Sequence, residues 1–406
     1  MKICLLCNRG NMYSGGQGVY LYYLSRELQR LGHEVHVVVG PPYPDIPDGV
    51  TEHRVENLNL FEFGFPKKDP FRIFTPLNLY ELASIRLGMF PEMFSFSFRA
   101  YHKVRQLLRD GRFDIIHDNQ TLGYGILMMK SFGIPIVATV HHPLPIDRKT
   151  DIAYIDKAWE RFGRICFYPF VMQHLVAGRM DRVVTVSESA AEETRKVFRV
   201  PRDKLRVVYN GIDTEMFRDL DGNHKERGRL VVVANTQDRK KGIIYLLRAL
   251  KLLREDMDVK LTIVDRGAPD NEYTPVLVER LGLDDSVEFT GKVSVEEVVG
   301  FYRKAEVAVV PSLYEGFCLP AAEAMSCGLP VVATMAGALP EVVEDGVSGI
   351  LVPPRDHSAL AGAIKRLLSD ESLRQTMGEK GKERVQKHFT WKEATRKTLE
   401  VYREVL

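Results

Sequence analysis

The chain has 406 residues, 45% of them hydrophobic and 27% charged, and this length and composition predict a globular protein of two or three domains. A formal net charge of +2 excludes the strong basic bias of nucleic-acid-binding proteins. No segment reaches the roughly 18 consecutive apolar residues of a membrane span, and the first residues predict a strand rather than a signal peptide. We therefore expect a cytoplasmic protein, which leaves peripheral contact with the inner face of a membrane open.

The five cysteines do not suggest a disulfide framework, because their number is odd and their spacing irregular. Cys4 and Cys7 form a C-x-x-C pair within the apolar run KICLLC, which predicts a buried strand. A redox or metal site needs exposed thiols or a second set of ligands. We expect these two thiols to serve packing.

Short apolar, β-branched runs alternate with helical patterns along the chain. Such runs, bounded by Gly, Pro or Asp, are typical of parallel strands buried on both faces. A helix is predicted over 18–32, ending at Gly32. The alternation predicts doubly wound α/β structure. The predicted strands cover residues 2–7, 33–40, 114–118, 134–140, 181–187, 205–210, 229–235, 259–265, 286–291, 306–311, 329–334 and 349–352.

The strand–helix pattern occurs twice, over residues 1–208 and 209–388. It predicts two Rossmann-like domains that face each other across a cleft, where the carboxyl ends of their strands would hold ligands. A last helix is predicted at about 389–406, after the second series, and periodicity does not show where it packs.

Residues 41–100 give an irregular pattern, with aromatic residues beside Lys67, Lys68 and Arg72. A helix with five basic residues and one acid is predicted over 98–112. A basic amphipathic stretch beside aromatics is typical of contact with an anionic membrane. A solvated helix face beside a loop is the alternative, and we favour it.

The strongest local signal is PSLYEGFCLPAAEAMSCGLPVVAT, residues 311–334. A strand ends at Pro311, Glu315 follows on a loop, and a helix is predicted from about Leu319 to Gly328 with Glu323 in its first turns. Free backbone amides before this helix would suit an anion or a sugar phosphate. The alternative, that both glutamates are ordinary surface carboxylates, is less favoured because strand, glycine, proline and helix start are in register.

Several segments together resemble the retaining nucleotide-sugar glycosyltransferases of family 4, which have the GT-B fold. The E-x7-E spacing of Glu315 and Glu323 carries the resemblance most strongly, with CGLPVVAT and GALPEVVEDGVSGILVPPRD after it. SGGQGVYLYYLSRELQRLGHEV, VVTVSES, VVYNGID, KKGIIYLLRAL, VEFTGKV and FTWKE follow the family's order. The resemblance covers nearly the whole chain and is weakest over 41–110. It implies that the domain of residues 1–208 lies on the acceptor side, that the domain of residues 209–388 binds the donor, and that the helix at about 389–406 returns to the first domain.

The resemblance assigns donor-binding roles in the second domain. Glu323 matches the glutamate that holds the donor ribose, and Glu315 matches the one that contacts the transferred sugar. Lys241 matches the lysine that neutralises the leaving diphosphate, where negative charge grows as the glycosidic bond breaks. Taken alone, Lys241 would be a surface lysine of the basic run 239–241. Sugar hydroxyls and phosphate would meet the amides of four residues, Gly316, Phe317, Cys318 and Leu319.

Two sites of the first domain also match the family. Gly15 and Gly16 precede the first helix, where glycine lets backbone approach a phosphate closely, although such a pair also occurs in plain loops. His141 follows the strand IPIVATV and matches the histidine beside the donor sugar. A lone histidine after a strand is more often structural, and His142 and His117 are weaker candidates for the same role.

One position departs from the family. An arginine usually stands six residues before the lysine that Lys241 matches, and this chain has Asn235 there. A neutral amide cannot supply that charge. Arg239 or Lys240 could substitute from other positions, and an altered donor preference is expected if neither does.

Two D-x-D pairs, at Asp219–Asp221 and Asp256–Asp258, lie away from the other candidates. We interpret both as solvated loops, and we expect neither a metal nor any other cofactor.

The resemblance implies transfer of a sugar with retention of configuration, from a nucleotide-diphosphate donor that is most often a UDP-sugar. The acceptor hydroxyl, on a lipid or a glycan, is left open. Two other interpretations stand beside it. A phosphorylase or epimerase would share the fold, and a non-catalytic nucleotide-sugar-binding protein would account for Asn235.

Overall fold

The computed structural model describes residues 1–10, 16–58, 70–87, 89–143, 170–218, 225–265 and 273–406. The chain divides into two compact units. Unit 1 comprises Met1–Val208 with Thr395–Leu406, and unit 2 comprises Tyr209–Ala394. Within the described ranges, no helix combines the length and apolar character needed to cross a membrane.

Unit 1 is built on a seven-stranded parallel sheet of order β3-β2-β1-β4-β5-β6-β7. Consecutive strands lead outward from β1 on one side and from β4 on the other, so the strand order reverses between these two. Ligands of doubly wound sheets bind beyond the carboxyl ends of the strands at such a reversal. The strands are β1 (Lys2–Cys7), β2 (Glu34–Val39), β3 (Thr51–Arg54), β4 (Ile115–Asn119), β5 (Ile136–Val140), β6 (Arg182–Thr185) and β7 (Leu205–Val207).

Three of the helices described in unit 1, Gln17–Arg30, Glu92–Leu107 and Glu188–Phe198, pack directly against this sheet. The side chains of Phe96, Ala100 and Val104 recur four residues apart along α3 and are buried in the core with those of β1 and β4. The helices are α1 (Gln17–Arg30), α2 (Pro76–Arg86), α3 (Glu92–Leu107), α4 (Tyr124–Met128), α5 (Phe170–Ala177) and α6 (Glu188–Phe198), with 3-10 turns at Pro70–Phe74, Met129–Phe132 and Arg202–Lys204.

Two sequence predictions fail in unit 1. Helix α3 begins at Glu92 and ends at Leu107 rather than covering 98–112. Its apolar face starts earlier in the sequence than its basic residues suggest. Arg112 lies beyond the end of the helix and donates a hydrogen bond to the carbonyl of Gly133. Strand β3 was not predicted because its sequence, TEHR, is polar and it forms the edge of the sheet.

Unit 2 contains a six-stranded parallel sheet of order β10-β9-β8-β11-β12-β13, with its reversal between β8 and β11. The strands are β8 (Arg229–Val233), β9 (Lys260–Val264), β10 (Val287–Phe289), β11 (Val307–Val310), β12 (Val331–Thr334) and β13 (Gly349–Val352). The helices are α7 (Ile243–Leu253), α8 (Tyr273–Leu281), α9 (Val295–Lys304), α10 (Leu319–Ser326), α11 (Leu339–Val342), α12 (His357–Ser369) and α13 (Glu371–His388), with a 3-10 turn at Arg239–Lys241.

The last helix, α14 (Trp391–Arg403), starts in unit 2 and ends in unit 1. Tyr402 is fully buried, with its hydroxyl 2.5 Å from His117 Nδ1. Glu404 accepts hydrogen bonds from Arg182 and Arg206 at 2.8 and 2.6 Å. These contacts attach the end of the chain to the sheet of unit 1.

The cysteines described are free and buried. Cys4 and Cys7 lie in β1, and burial raises the pKa of the Cys7 thiol to about 12. The buried strand predicted for Cys4 and Cys7 is confirmed.

Candidate functional site

Lys241 and Glu315 meet at the carboxyl edge of the unit 2 sheet, where the strand order reverses. Lys241 follows β8 and Glu315 follows β11. The Lys241 ammonium donates to Glu315 Oε1 at 2.8 Å, and the hydroxyl of Ser312 donates to the same oxygen at 2.6 Å. Burial lowers the pKa of Lys241, but the neighbouring Glu315 carboxylate outweighs this and keeps the pKa above its ordinary value. Lys241 is therefore a fixed cation at neutral pH.

Two glycines allow the loops that carry this pair to approach closely. Gly242 has φ of +67°, and a Cβ there would lie 2.0 Å from the carbonyl oxygen of Pro311. Gly337 has φ of +57°, and a Cβ there would lie 2.2 Å from the carbonyl oxygen of Glu315. Both the conformation and the space demand glycine. The position of the ion pair thus depends on backbone packing as well as on its own charges.

Glu323 lies within α10 and is 6% exposed. The hydroxyl of Tyr302, on α9, lies 3.2 Å from Glu323 Oε2 and 3.2 Å from the carbonyl oxygen of Pro320. Tyr302 is itself 1% exposed, so its ring is fixed in the core. The buried hydroxyl therefore restrains the Glu323 carboxylate.

The loop between Glu315 and α10 turns sharply at Cys318, which has φ of +79° and precedes the helix. Within the described ranges, the amides of Phe317, Cys318 and Leu319 donate no hydrogen bond to another residue. The Phe317 ring packs 5.5 Å from the ring of Phe389 and 6.3 Å from that of Tyr209. This aromatic contact holds the loop while its amides stay available, which suits an anion at the start of a helix.

Asn235 forms a local turn. Its side-chain Oδ1 accepts from the amide of Gln237 at 3.1 Å, and its carbonyl accepts from the amide of Asp238 at 3.1 Å. The two cations that could substitute for the family's arginine contact other residues. The Arg239 guanidinium lies over the ring of Tyr273, and Lys240 Nζ lies 3.6 Å from Asp238 Oδ2. Lys241 is thus the cation that contacts Glu315.

A second group of polar residues lies at the reversal of the unit 1 sheet. Gly16 precedes α1 with φ of +71°, and Gln17 follows it. Asn119 ends β4 and donates to the carbonyl of Gln17 at 3.0 Å, which orients its Oδ1 towards His141 Nε2, 2.7 Å away. The structure therefore connects His141, through Asn119, to Gln17, the residue after Gly16. Gly15 lies outside the described residues.

His141 is neutral in this environment. Burial, followed by the nearby His142 and His117, lowers its pKa to about 3. Because Asn119 Oδ1 only accepts, His141 Nε2 carries the proton and Nδ1 keeps its lone pair. The ring of Tyr20 packs edge-on against it at 4.9 Å. His141 can therefore accept a hydrogen bond without carrying charge.

His117 has a structural environment. Its Nε2 lies 2.7 Å from the hydroxyl of Thr139 and its Nδ1 contacts Tyr402. Both ring nitrogens are used within the core, and burial lowers its pKa to about 3. His117 thus ties the C-terminal helix to the sheet.

Among the residues described, no three His, Cys, Asp or Glu side chains group as metal ligands would. Asp256 is exposed and pairs with Lys365 at 2.5 Å. The other D-x-D pair, Asp219–Asp221, lies outside the described residues.

Three side chains that contact the candidate residues were missed by sequence reasoning: Tyr302, Ser312 and Asn119. Ser312 lies three residues before Glu315, so the local motif could have indicated it. Tyr302 and Asn119 reach their partners through the fold, across 21 and 22 residues of sequence.

Two parallel-sheet α/β units with polar loops at the strand-order reversals are typical of two-domain glycosyltransferases, and the comparisons with known proteins decide the class. The family described as Glycosyltransferase Family 4 matches residues 14–216, and Glycosyl transferases group 1 matches residues 218–384. The chain therefore belongs to the family 4 glycosyltransferases, and it is an enzyme of that class.

Relatives agree with this assignment over almost the whole length. The MMP alpha-(1->4)-mannosyltransferase of Mycolicibacterium hassiacum is 39% identical, covering 100% of this chain and 98% of the relative. A D-inositol 3-phosphate glycosyltransferase of Streptomyces bingchenggensis is 28% identical, covering 97% of this chain and 85% of the relative.

Solved structures share the GT-B fold. A sucrose-phosphate synthase of Thermosynechococcus elongatus superposes with a TM-score of 0.75 at 22% identity, covering 100% of this chain and 99% of the other. HepE of Anabaena, solved in complex with UDP, superposes with a TM-score of 0.73 at 19% identity, covering both chains fully. The predicted fold class is confirmed.

Proposed function

We propose that unit 2 binds a nucleotide-diphosphate sugar and that the protein transfers its sugar to an acceptor hydroxyl with retention of configuration. The observation that carries this proposal is the Lys241–Glu315 pair, which lies beside the amides of Phe317, Cys318 and Leu319 that donate no hydrogen bond to another described residue. A fixed cation and a row of amides together match a diphosphate, which bears charge and accepts hydrogen bonds.

Each candidate residue of unit 2 receives a role. Lys241 binds the diphosphate and stabilises the charge that develops on it as the bond to the sugar breaks. Glu315 accepts hydrogen bonds from hydroxyls of the transferred sugar, and Glu323 from the ribose. The amides of Gly316, Phe317, Cys318 and Leu319 contribute hydrogen bonds to the sugar and the phosphate.

The reaction we propose needs no metal and no resident cofactor. The bond between the anomeric carbon and the β-phosphate oxygen breaks, and a bond to the acceptor oxygen forms on the same face. The acceptor's proton passes to the departing phosphate oxygen. The nucleotide diphosphate leaves with its charge met by Lys241 and by the amides.

In unit 1, we assign His141 to a hydroxyl of the donor sugar. Its neutral ring offers Nδ1 as an acceptor, and the pKa of about 3 keeps it uncharged at physiological pH. Gly15 and Gly16 are assigned to close backbone approach at the start of α1.

A UDP-sugar is the first donor to test, and the HepE structure with UDP supports that choice. The name of the Mycolicibacterium hassiacum relative adds mannosyl donors to the panel. Asn235 is the reason to include other bases, since it replaces the family's usual arginine.

The experiment is a thermal-shift and hydrolysis panel of UDP-, GDP- and ADP-sugars on the wild type and on Glu323→Ala. We expect one nucleotide to stabilise the wild type, its sugar to be slowly hydrolysed, and both effects to fall in the variant. Absence of any response in the wild type would contradict the proposal and favour a phosphorylase or a binding protein.

Membrane contact is a second candidate property of unit 1. Phe71 and Phe74 are 78% and 72% exposed, and Leu87 is 72% exposed. Exposed apolar groups of this size are typical of an interaction surface, and a lipid acceptor would place it against a membrane. Flotation with vesicles containing anionic lipid at low salt tests this: Phe71→Ser with Phe74→Ser should abolish binding, and failure of the wild type to float would rule it out.

A further inference from the structure

Within the described ranges, six buried side chains of unit 1 keep a nitrogen or oxygen atom without a hydrogen bond, and the three that are not threonines are those of Asn8, Glu92 and Gln173. Among the residues described, neither Nδ2 nor Oδ1 of Asn8 forms a hydrogen bond. The same holds for Glu92 Oε2 and Gln173 Oε1. The three residues are 2%, 6% and 1% exposed. Folded proteins leave few such atoms, and each requires an explanation. A ligand that supplies the missing hydrogen bonds is one such explanation.

The three side chains belong to one region. Asn8 directly follows β1. The Nε atom of its neighbour Arg9 lies 3.5 Å from Oε2 of Glu92, which is the first residue of α3. Gln173 donates to the sulfur of Met93, the residue after Glu92, at 3.3 Å. The residues that follow β1, the start of α3 and helix α5 thus meet at one place.

This place adjoins the strand-order reversal of the unit 1 sheet. Asn119, which orients His141, also lies 3.5 Å from the sulfur of Cys7, the residue before Asn8. Ligands of doubly wound sheets bind at this edge. Asn8 therefore follows a residue that contacts Asn119, which in turn contacts the His141 already assigned to the donor sugar.

The chemistry of the unused atoms selects the ligand. Three of the four are acceptors: Asn8 Oδ1, Glu92 Oε2 and Gln173 Oε1. Hydroxyl groups donate to such atoms and can also accept from the Asn8 amide, whereas a phosphate dianion only accepts. The carboxylate of Glu92 would also repel a phosphate, and Arg9, 44% exposed and without a hydrogen bond to that carboxylate, offsets this only in part.

We propose that Asn8, Glu92 and Gln173 bind the acceptor, and that the part of the acceptor held here is an uncharged, hydroxyl-bearing ring such as the end of a glycan. This inference rests on the proposed function and identifies the substrate class of that reaction. Arg9, whose side chain is 44% exposed, is the member of the group that lies at the surface.

The test compares uncharged rings with their phosphates. Mannose, glucose and myo-inositol are each offered as acceptors beside their monophosphates, with the donor found in the panel. We expect at least one uncharged ring to be used, with kcat/KM about tenfold or more above that of its phosphate. Glu92→Gln keeps the shape and removes the charge, so it should narrow this ratio and raise the acceptor KM by about 10-fold. Glu192→Gln, an exposed glutamate paired with Arg195 and Lys196, is the matched control and should change neither.

A second variant distinguishes a loss of acceptor binding from a loss of folding stability. Asn8→Leu has nearly the same shape and removes an amide without partners, so the melting temperature should rise while the acceptor KM rises as well. A purely structural role, such as holding an ordered water, would lower the melting temperature and leave the acceptor KM unchanged, which would overturn the proposal. Preference for a phosphorylated ring, or use of none of the uncharged rings, would also overturn it. Failure of the wild type to bind any nucleotide sugar would instead contradict the proposed function.

Discussion

The side chains assigned to the donor in unit 2 and those assigned to the acceptor in unit 1 differ in how completely they are paired. In unit 2, Glu315 is already bonded to Lys241 and Ser312, and Glu323 is bonded to Tyr302. In unit 1, Asn8 and Glu92 keep buried atoms without hydrogen bonds in the described ranges. We infer that Glu315 and Glu323 of unit 2 are positioned before their ligand arrives, whereas Asn8 and Glu92 of unit 1 obtain their missing hydrogen bonds from the ligand.

Pre-organisation has a physical benefit in a transferase. A cation fixed before the reaction stabilises developing charge without rearranging during the chemical step. Unsatisfied groups cost stability, but they make discrimination sharp, because a ligand that cannot pair with them is rejected. The two regions therefore suit different tasks, diphosphate stabilisation in one and acceptor selection in the other.

The largest effect is expected from Lys241→Ala, which removes the fixed cation of unit 2. We expect kcat to fall by roughly 10²- to 10³-fold, as when one stabilising group is lost from a transition state. Steady-state kinetics with the donor identified by the panel measure this. Lys240→Ala is the control, since Lys240 contacts Asp238 at 3.6 Å, and it should stay within about twofold of the wild type. Equal losses of kcat in both variants would mean that the reaction depends on the overall positive charge of this loop and not on the fixed Lys241–Glu315 pair.

A smaller effect is expected from Tyr302→Phe, which removes the hydroxyl that restrains Glu323. Losing one buried hydrogen bond should raise the donor KM by about 2- to 10-fold and leave kcat nearly unchanged. Tyr245→Phe, on α7, serves as the control. If kcat falls while the donor KM stays constant, Tyr302 does not act by positioning a ribose ligand.

The smallest expected effect is a loss of folding stability between pH 7 and pH 5. It should come from unit 1. Burial lowers the pKa of His117 and of His141 from 6.5 to about 3, so the unfolded chain binds protons that the folded chain does not. Their contribution to stability is complete above pH 6.5 and is lost as the pH falls towards 3. Burial raises the pKa of Asp118 from 3.8 to about 6, which opposes one of the two histidines between those values.

The net expectation is a melting temperature that falls by a few degrees from pH 7 to pH 5. His141→Gln should reduce this dependence, and scanning calorimetry across the pH range measures it. A melting temperature that rises on acidification to pH 5 would show that Asp118 dominates.

The sequence predicts much of unit 2 because its motif is local. Glu315, Gly316, Cys318 and Glu323 lie within one strand–loop–helix segment, where proline and glycine mark the boundaries of α10. Periodicity also predicts the buried strands, since nearly every residue of β1 or β5 is apolar.

What the sequence does not predict depends on contacts between distant segments. Tyr302 reaches Glu323 because α9 and α10 pack together, and Asn119 reaches His141 because β4 and β5 are adjacent. Glu92 looks like an ordinary first-turn glutamate until the fold places it beside Arg9. Burial of a polar atom without a partner has no signature in sequence.

The most direct test of the proposed reaction is the stereochemistry of donor cleavage. Proton NMR would follow the first sugar that the wild type releases from the identified nucleotide sugar, with a chelator present and before the free sugar mutarotates. We predict release in the anomeric configuration of the donor, at a rate that the chelator does not change. Release in the opposite configuration, or cleavage that stops when the chelator is added, would contradict the proposed mechanism.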